Sequence, residues 1–568
     1  MISAIRSRFL VSVKGSGALD AEARSEWAFS TFALIEAAGR SCAQVVTKTF
    51  PGYFRKRTSG LAGSEGCFTE KPRVTAAIGA GNNGADAMVM LRYWILAGLL
   101  DISSSALVVT RMPKRGETGA WVDMLKSLKK IKVPILVWDA DVGEVAGRAS
   151  DDILAQADII IDGIAGTGIS GPLQGAAGEM VNSINAHRKK AEVSPCHIQN
   201  PECQIPNSPS VKRPLIISVD LPSGNSDEWK PGMPMVEADV TLAIEPQKYC
   251  IYNPAARPYA GIILPVGGIF PGELIARYAE AEILDWKTVR GRISGIRPTA
   301  YKHQRGTVEV RAGSPGATGA ALIAARGAQA AGAGLVRLLV DDDIYPILAT
   351  QSTGIMIAPA GDISKDSFGC DSRFKPDAIL LGPGWGRKTN RAQILENALI
   401  LEQKGIPLVL DADAIELAKE KIFSGNVILT PHPGEFSKFS GVEREELLSR
   451  PLPILLQYAR ERKAVILFKG HVITIAAPDG RVGIVDGMTP VLATGGSGDL
   501  LAGFCAAIAA RMAREERGYD AYTCAAAAAA LLIASGKSAG FKTRFTDPLE
   551  LACRAADLAG EAWLNLDI

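Results

Sequence analysis

Two stretches of this chain gather small and polar residues where backbone amides could grip an anion. ATGGSGDLLAG (493–503) sets a run of small residues directly before Asp499 and an apolar segment that reads as a helix from Asp499 to about Met512. The N–H groups of Gly495, Gly496, Ser497 and Gly498 would form an anion cradle, reinforced by the positive end of the helix dipole. A carboxylate beside that cradle, Asp499, can accept a proton from a hydroxyl that attacks a phosphoryl group. GAGNNGAD (79–86) is the second stretch. Its glycines at 79, 81 and 84 permit a tight turn with N–H groups facing an anion, and Asn82 and Asn83 add amide oxygens. DGIAGTGISGP (162–172) and SVDLPSGN (218–225) contribute Asp162, Asp220 and Ser223. An all-oxygen set of this kind suits a hard, weakly dehydrated cation rather than zinc. Residues 79–84 have the form G-x-G-x-x-G, but Val109-Thr110-Arg111 stands where ordinary NAD binding needs an acid. In the second half, GSPGATGAA (313–321), GPGWG (382–386), LDADAIE (410–416), TPHPGE (430–435) and FKGH (468–471) add Lys469, which could meet a phosphate, and His432 between two prolines.

These loops need strands to hold them. RVTAAI (73–78), SALVVT (105–110), PILVW (134–138), DIIID (158–162), LIISVD (215–220) and DVTLAI (239–244) are continuous apolar runs separated by helical stretches. That pattern implies a parallel sheet covered on both faces. The rhythm lapses around 270–300 and restarts with VEVRAG (308–313), GLVRLLV (334–340), AILLGPG (378–384), PLVLDAD (407–413), NVILTPHPGE (426–435) and AVILFKG (464–470). Glycine and polar residues collect at strand ends, so each half predicts one crevice. At 568 residues two domains are expected, with a boundary near 285–300. A composition of 47% apolar and 21% charged residues is that of a soluble α/β protein, and a net charge of +2 gives no argument for nucleic acid or a membrane surface. Nine scattered cysteines point to reduced thiols and a cytoplasmic protein. Cys196-His197 with Cys203 lies in a Pro/Ser/Asn-rich insertion (about 186–213) and lacks a fourth metal ligand. The basic start, MISAIRSRFLVSVKG, is too short and interrupted for a signal peptide and leaves an organellar presequence open.

GNNGAD, DGIAGTG and SVDLPSGN together resemble the NAD(P)H-hydrate epimerase family, as does ALIEAAGR (33–40). The resemblance implies contacts to the hydrated dinucleotide (NADHX or NADPHX) from Asn82, Asn83, Gly84, Ala85, Asp86, Gly166, Thr167, Gly168, Ile169, Ser170, Gly171, Pro172 and Asp220. It makes Asn83, Asp162 and Ser223 ligands of potassium (K+), and Asp162 or Asp220 the proton-handling group. Ala85 replaces the family's usual glycine, which would set a methyl beside the diphosphate. The second half is similar to the ribokinase-like ADP- or ATP-dependent NAD(P)H-hydrate dehydratases through HQRGTVEVRAGSPGATGAALIAARGAQAAGAGLV (303–336), LDADAIE, TPHPGE and GGSGD. That likeness places Ala321, Gly384, His432 and Asp499 on the hydrate. It places Lys469, Gly470, His471, Val472, Ile473, Gly495, Gly496, Ser497 and Gly498 on the nucleotide, with magnesium (Mg2+) balancing phosphate charge. Trp385 stands where a small apolar residue is common.

The implied architecture is a Rossmann-like three-layer αβα sandwich over 1–285 and a ribokinase-like αβα domain over 295–568. The implied activity is repair of hydrated NADH and NADPH at the expense of ADP or ATP, by a homo-oligomer. The rival readings are a vitamin or sugar kinase in the second half and a non-catalytic binding module in the first.

Overall fold

The computed structural model describes residues 8–54, 71–138, 143–169, 171–189, 213–360, 375–388, 390–538 and 546–564. Ser170, the Cys196-His197-Cys203 group with most of its insertion, and the first seven residues lie outside the described residues. The chain divides into two compact units, Met1–Glu280 and Ala281–Ile568, so the division falls ahead of the expected 285–300 stretch.

The first unit carries β1 (Phe9–Val11), β2 (Val74–Ile78), β3 (Ser105–Val109), β4 (Ile135–Val137), β5 (Ile159–Gly163), β6 (Leu215–Val219), β7 (Val240–Ile244), β8 (Gln247–Lys248) and β9 (Ile262–Val266). Seven of them form one sheet in the order β4-β3-β2-β5-β6-β7-β9, every pair parallel. Alternate residues feed opposite cores: Ala76, Ile161 and Ile217 join one cluster, Ala77, Ile160 and Ile216 the other. This is why the sequence shows unbroken apolar runs instead of alternation. The winding direction reverses between β2 and β5, which opens a crevice at their carboxyl ends. The helix Asn82–Leu96 starts there. β1 and β8 pair with each other in parallel, outside the seven-stranded sheet.

The second unit carries β10 (Ala281–Ile283), β11 (Thr307–Arg311), β12 (Leu335–Val340), β13 (Met356–Pro359), β14 (Ala378–Leu381), β15 (Leu408–Leu410), β16 (Val427–Leu429), β17 (Val465–Phe468), β18 (Val472–Ala476) and β19 (Val482–Asp486). Their order is β13-β12-β11-β14-β15-β16-β17-β18-β19-β10. The run from β13 to β17 is parallel, whereas β18 is antiparallel to both neighbours. Again two cores flank the sheet, one through Val308, Leu380 and Val409, the other through Ile379, Leu408 and Leu410. The expected α/β class with a covered parallel sheet in each half is borne out. Glycines let two helices of the first core touch backbone to backbone. A Cβ at Gly503 in Ser497–Met512 would stand 2.2 Å from the Ala324 carbonyl oxygen of Thr318–Ala330, and one at Gly327 2.7 Å from that of Leu500. No described helix is long and apolar enough to cross a membrane.

Candidate active sites

In the first unit the three polar loops leave adjacent strands β2, β5 and β6 and are stitched together. The Gly79 amide donates to the Gly163 carbonyl at 3.1 Å. A Cβ at Gly79 would stand 2.0 Å from the Ile164 carbonyl oxygen, and one at Gly84 2.3 Å from that of Gly79. These two glycines answer to close backbone packing. Gly81 faces open space and is exposed, so it alone of the three leaves room for a ligand.

Beneath the loops, Asp162 is fully buried. Its Oδ2 accepts from Ser218 Oγ at 2.6 Å and from the Ser223 amide at 2.9 Å, and its Oδ1 lies 2.5 Å from Ser223 Oγ. Burial raises its pKa against those donors. Ser223 Oγ also sits 3.0 Å from the Ala165 carbonyl oxygen, onto which Asn83 donates its Nδ2 at 3.1 Å. One hydroxyl proton cannot serve both Asp162 and Ala165, and the buried Asn83 Oδ1 has no partner among the described residues. Oxygen outnumbers hydrogen here, as a site for a hard cation requires.

Asp220 sits next to this group along the loop, at φ +64°, a conformation disfavoured outside glycine. Lys248, at the end of β8 and 4% exposed, donates to its Oδ1 at 2.6 Å. Asp86 is buried one helical turn beyond Asn82, and its Oδ1 has no partner among the described residues. Burial first, then the Asp220 charge, pushes the Asp86 pKa well up, with Lys248 opposing. Of the rim residues, Asn82, Gly168, Gly171 and Pro172 are exposed, Thr167 and Ile169 half-buried, and Gly166 packs on the Asn83 side chain. Ala85 differs from the expectation. Its methyl lies in the hydrophobic core and its amide donates to the Gly81 carbonyl, because residue 85 falls on the inward face of the helix.

In the second unit the carboxyl ends of β11, β14, β15, β16 and β17 meet the amino end of the helix Ser497–Met512. Gly496 takes φ +95° at its cap, as glycine allows. The Ser497 hydroxyl turns back to the Leu492 and Thr494 carbonyls at 3.0 and 3.1 Å. The amides of Gly498 and Asp499, in the first turn, are left to point at a ligand. Lys469 reaches beneath this turn: a Cβ on Gly498 would stand 3.4 Å from its Nζ. That Nζ bonds Asp411 Oδ1 at 2.7 Å, lies 3.9 Å from Glu435 Oε2, and so joins the ends of β15, β16 and β17. Thr430 Oγ1 also donates to Asp411 Oδ1, at 2.7 Å. Burial pulls the Lys469 pKa down, but Asp411 and Glu435 more than reverse this and leave it raised. Asp499 is pushed up to about 7, by burial first, then by Asp411, with Lys469 opposing and Glu435 adding. A half-buried carboxyl titrating near neutrality is what a general base needs.

The family described as NAD(P)H-hydrate dehydratase matches residues 308–555, and that described as YjeF-related protein N-terminus matches 31–250. The bifunctional NAD(P)H-hydrate repair enzyme Nnr of Moorella thermoacetica is 30% identical over 518 residues, covering 88% of this chain and 88% of that protein. The chain belongs to the bifunctional NAD(P)H-hydrate repair enzymes. Its Salinibacter ruber relative of the same name is 28% identical over 530 residues, covering 87% of each chain. The ADP/ATP-dependent NAD(P)H-hydrate dehydratase from Bacillus subtilis, co-crystallised with ATP/Mg2+, is 25% identical, with 49% of this chain and 98% of that chain covered and a TM-score of 0.41.

Within this repair-family chain, the other expected dehydratase residues sit as follows. Gly384 takes φ +56° and its carbonyl accepts from Ser314 Oγ at 2.9 Å. Ala321 is fully buried beneath Gly313. His432 caps the helix Pro433–Ser440, with Nδ1 accepting from the Gly434 and Glu435 amides at 3.0 and 3.2 Å. Its Nε2 lies 3.3 Å from Glu435 Oε1, and the exposed ring face is what is left for a ligand. Gly470 and His471 form the turn after Lys469, whereas Val472 and Ile473 are buried in β18. Gly495 is exposed with open space around it. The Trp385 ring is buried and stacks 4.9 Å from the Arg391 guanidinium, so it is core and not pocket wall. Sequence reading assigned no role to Asp411, Glu435 or Lys248. The first two stand at strand ends inside LDADAIE and TPHPGE, where the same strand-end rule would have found them. Lys248 carries no local signal.

Proposed function

We propose that this chain interconverts the two C6 epimers of hydrated NADH and NADPH in its first unit and dehydrates the S epimer in its second, at the expense of ADP or ATP. The observation that carries the reading is the Asp499–Lys469–Asp411–Glu435 cluster at the amino end of a glycine-started helix, in a chain whose first unit holds a separate oxygen-rich site. The Gly498 and Asp499 amides bind the transferring phosphoryl group, and Lys469, steadied by Asp411, meets its charge. Asp499 takes the proton from the ring hydroxyl as that oxygen attacks phosphorus. The C6–O bond then breaks with its electron pair on the departing phosphate, C5 gives up a proton to that phosphate, and the C5–H electrons form the ring double bond. Magnesium, arriving with the nucleotide, would balance phosphate charge.

In the first unit, Asn83 Oδ1, Asp162, Ser223 Oγ and the Ala165 carbonyl would hold potassium, which supplies positive charge to position the diphosphate. Gly81 and Asn82 offer the exposed approach to that diphosphate. Asp162 is sealed by Ser218, by the hydroxyl and amide of Ser223 and by the Ile164 amide, so Asp220 is the better placed of the two carboxylates to move a proton. The test is incubation of purified protein with mixed NADH hydrate and ADP or ATP, following recovery of dihydropyridine absorbance and phosphate release. A stable phosphorylated product in place of NADH would favour the small-molecule kinase reading. Loss of S epimer only, with R left behind whether or not potassium is present, would remove the epimerase half.

A further inference from the structure

Three buried charged groups cluster behind the rim of the first crevice, and the sequence reading gives only one of them, Asp220, a part in proton transfer. Lys248 is nearly sealed, with Nζ bonded to Asp220 Oδ1 at 2.6 Å and to the Ile244 carbonyl at 3.3 Å. Asp220 adopts a left-handed backbone conformation that fixes where its side chain leaves the loop. Asp86 enters from another element, the helix Asn82–Leu96, and is 9% exposed with an Oδ1 that has no partner among the described residues. A strained residue, an enclosed ion pair and an orphaned carboxyl oxygen in one place are costly for stability and are characteristic of working sites.

We propose that Asp86 is the acid partner of Asp220 in epimerisation and that Lys248 is the positioning residue that holds Asp220 as the base. This rests on the epimerase reading given above. The ring carbon C6 bears both the hydroxyl and N1, so epimers interconvert by opening and reclosing the C6–N1 bond. Asp220 takes the hydroxyl proton, C6–O becomes a carbonyl, and the C6–N1 electron pair moves to N1. The Asp86 carboxyl gives N1 its proton, which leaves an open-chain aldehyde. Rotation about C5–C6 presents the other carbonyl face to N1. In reverse, N1 returns its proton to Asp86, Asp220 returns its proton to oxygen, and the ring closes as the opposite epimer. Both carboxyls end as they began, and no co-reactant is consumed. One protonated and one ionised carboxyl are what this cycle needs. Burial first and then the Asp220 charge favour the protonated form of Asp86, and Lys248 is bonded to Asp220 on its other side.

The test uses the full chain and R-epimer of hydrated NADH, with thermal unfolding of the first unit as the control of folding and dehydratase turnover of S-epimer as the control of enzyme quality. Asp86→Asn and Lys248→Met are each expected to lower epimerase kcat about 100- to 1,000-fold with KM within about threefold of wild type. Lys248→Arg, which keeps the charge, is expected to recover part of that loss and is the variant to read should Lys248→Met not fold. Wild-type kcat in Asp86→Asn, or a raised KM with kcat unchanged, overturns the acid role. Equal kcat in Lys248→Arg and Lys248→Met overturns the positioning role. If Asp220→Asn is inactive while Asp86→Asn and Lys248→Met turn over normally, this inference fails and the epimerase reading stands. A wild-type chain that does not exchange epimers refutes the epimerase reading itself.

Discussion

Asp499→Asn should separate catalysis from stability in opposite directions. The carboxyl titrates near 3.8 in an unfolded chain and is pushed up to about 7 in the folded protein by burial and by Asp411. Between those values the unfolded chain has released a proton that the folded chain still holds, so rising pH favours unfolding. The penalty is absent below the unfolded value and complete above the folded one. A shift of about three pKa units corresponds to about 4 kcal/mol at full ionisation. The amide has the same shape and never ionises, so the variant should be more stable by up to about 4 kcal/mol at pH 8 and by about a third of that at pH 5. For a unit of this size that is a rise in Tm of about 10 °C at pH 8. Dehydratase turnover should fall about 100- to 10,000-fold, because no base is left to take the hydroxyl proton. Thermal unfolding without nucleotide at pH 5 and pH 8, with turnover of the S epimer alongside, reads both quantities. A variant no more stable than wild type at pH 8, or one whose gain is as large at pH 5, would refute the claim that an enclosed, charge-repelled carboxyl drives the reaction.

With Asp499 as the proposed base, dehydratase kcat should drop about tenfold per pH unit below about 7 and level off above it; a profile flat from pH 5.5 to 8 counts against the assignment. Asn83→Ala removes the orphaned Oδ1 and should abolish or weaken at least tenfold the potassium dependence of epimerisation, read as a potassium titration of R-epimer turnover, while dehydratase activity stays at the wild-type level. Gly79→Ala forces a Cβ to 2.0 Å from a backbone oxygen and should cost several kcal/mol in the first unfolding transition, whereas Gly81→Ala meets nothing and should change Tm by less than about 2 °C. Ser223→Ala strips the Asp162 carboxylate of one buried donor and should destabilise the first unit by about 1–3 kcal/mol, measured by denaturant titration.

The strands that hold both sites were legible because a sheet covered on two faces needs unbroken apolar runs such as DIIID and LIISVD. The short pair β1 and β8, the strands β9, β10 and β13, and the antiparallel β18 and β19 left no comparable trace. Their residues are few, or their pairing is decided by what lies beside them. GGSGD was legible as a cradle since glycine before a helix has a backbone meaning, yet its hydroxyl turned out to brace the loop. His432 followed by Glu435 has the spacing of a reciprocal cap, and that local bonding takes up the ring nitrogen expected at a ligand. Ala85 was read from the family pattern without the helix phase that sends its methyl inward. Lys248 was invisible because its importance lies wholly in a partner 28 residues earlier in the chain.

The seam at Gly503 and Gly327 leaves no side chain between two helices that both start at the dehydratase site, one bearing Asp499 and the other following the Gly313 loop. With main chain resting on main chain, neither rod has slack to swivel or slide alone. The cleft therefore behaves as a vice with both jaws cast in one piece, and admission of cargo falls to the short connecting turns around it.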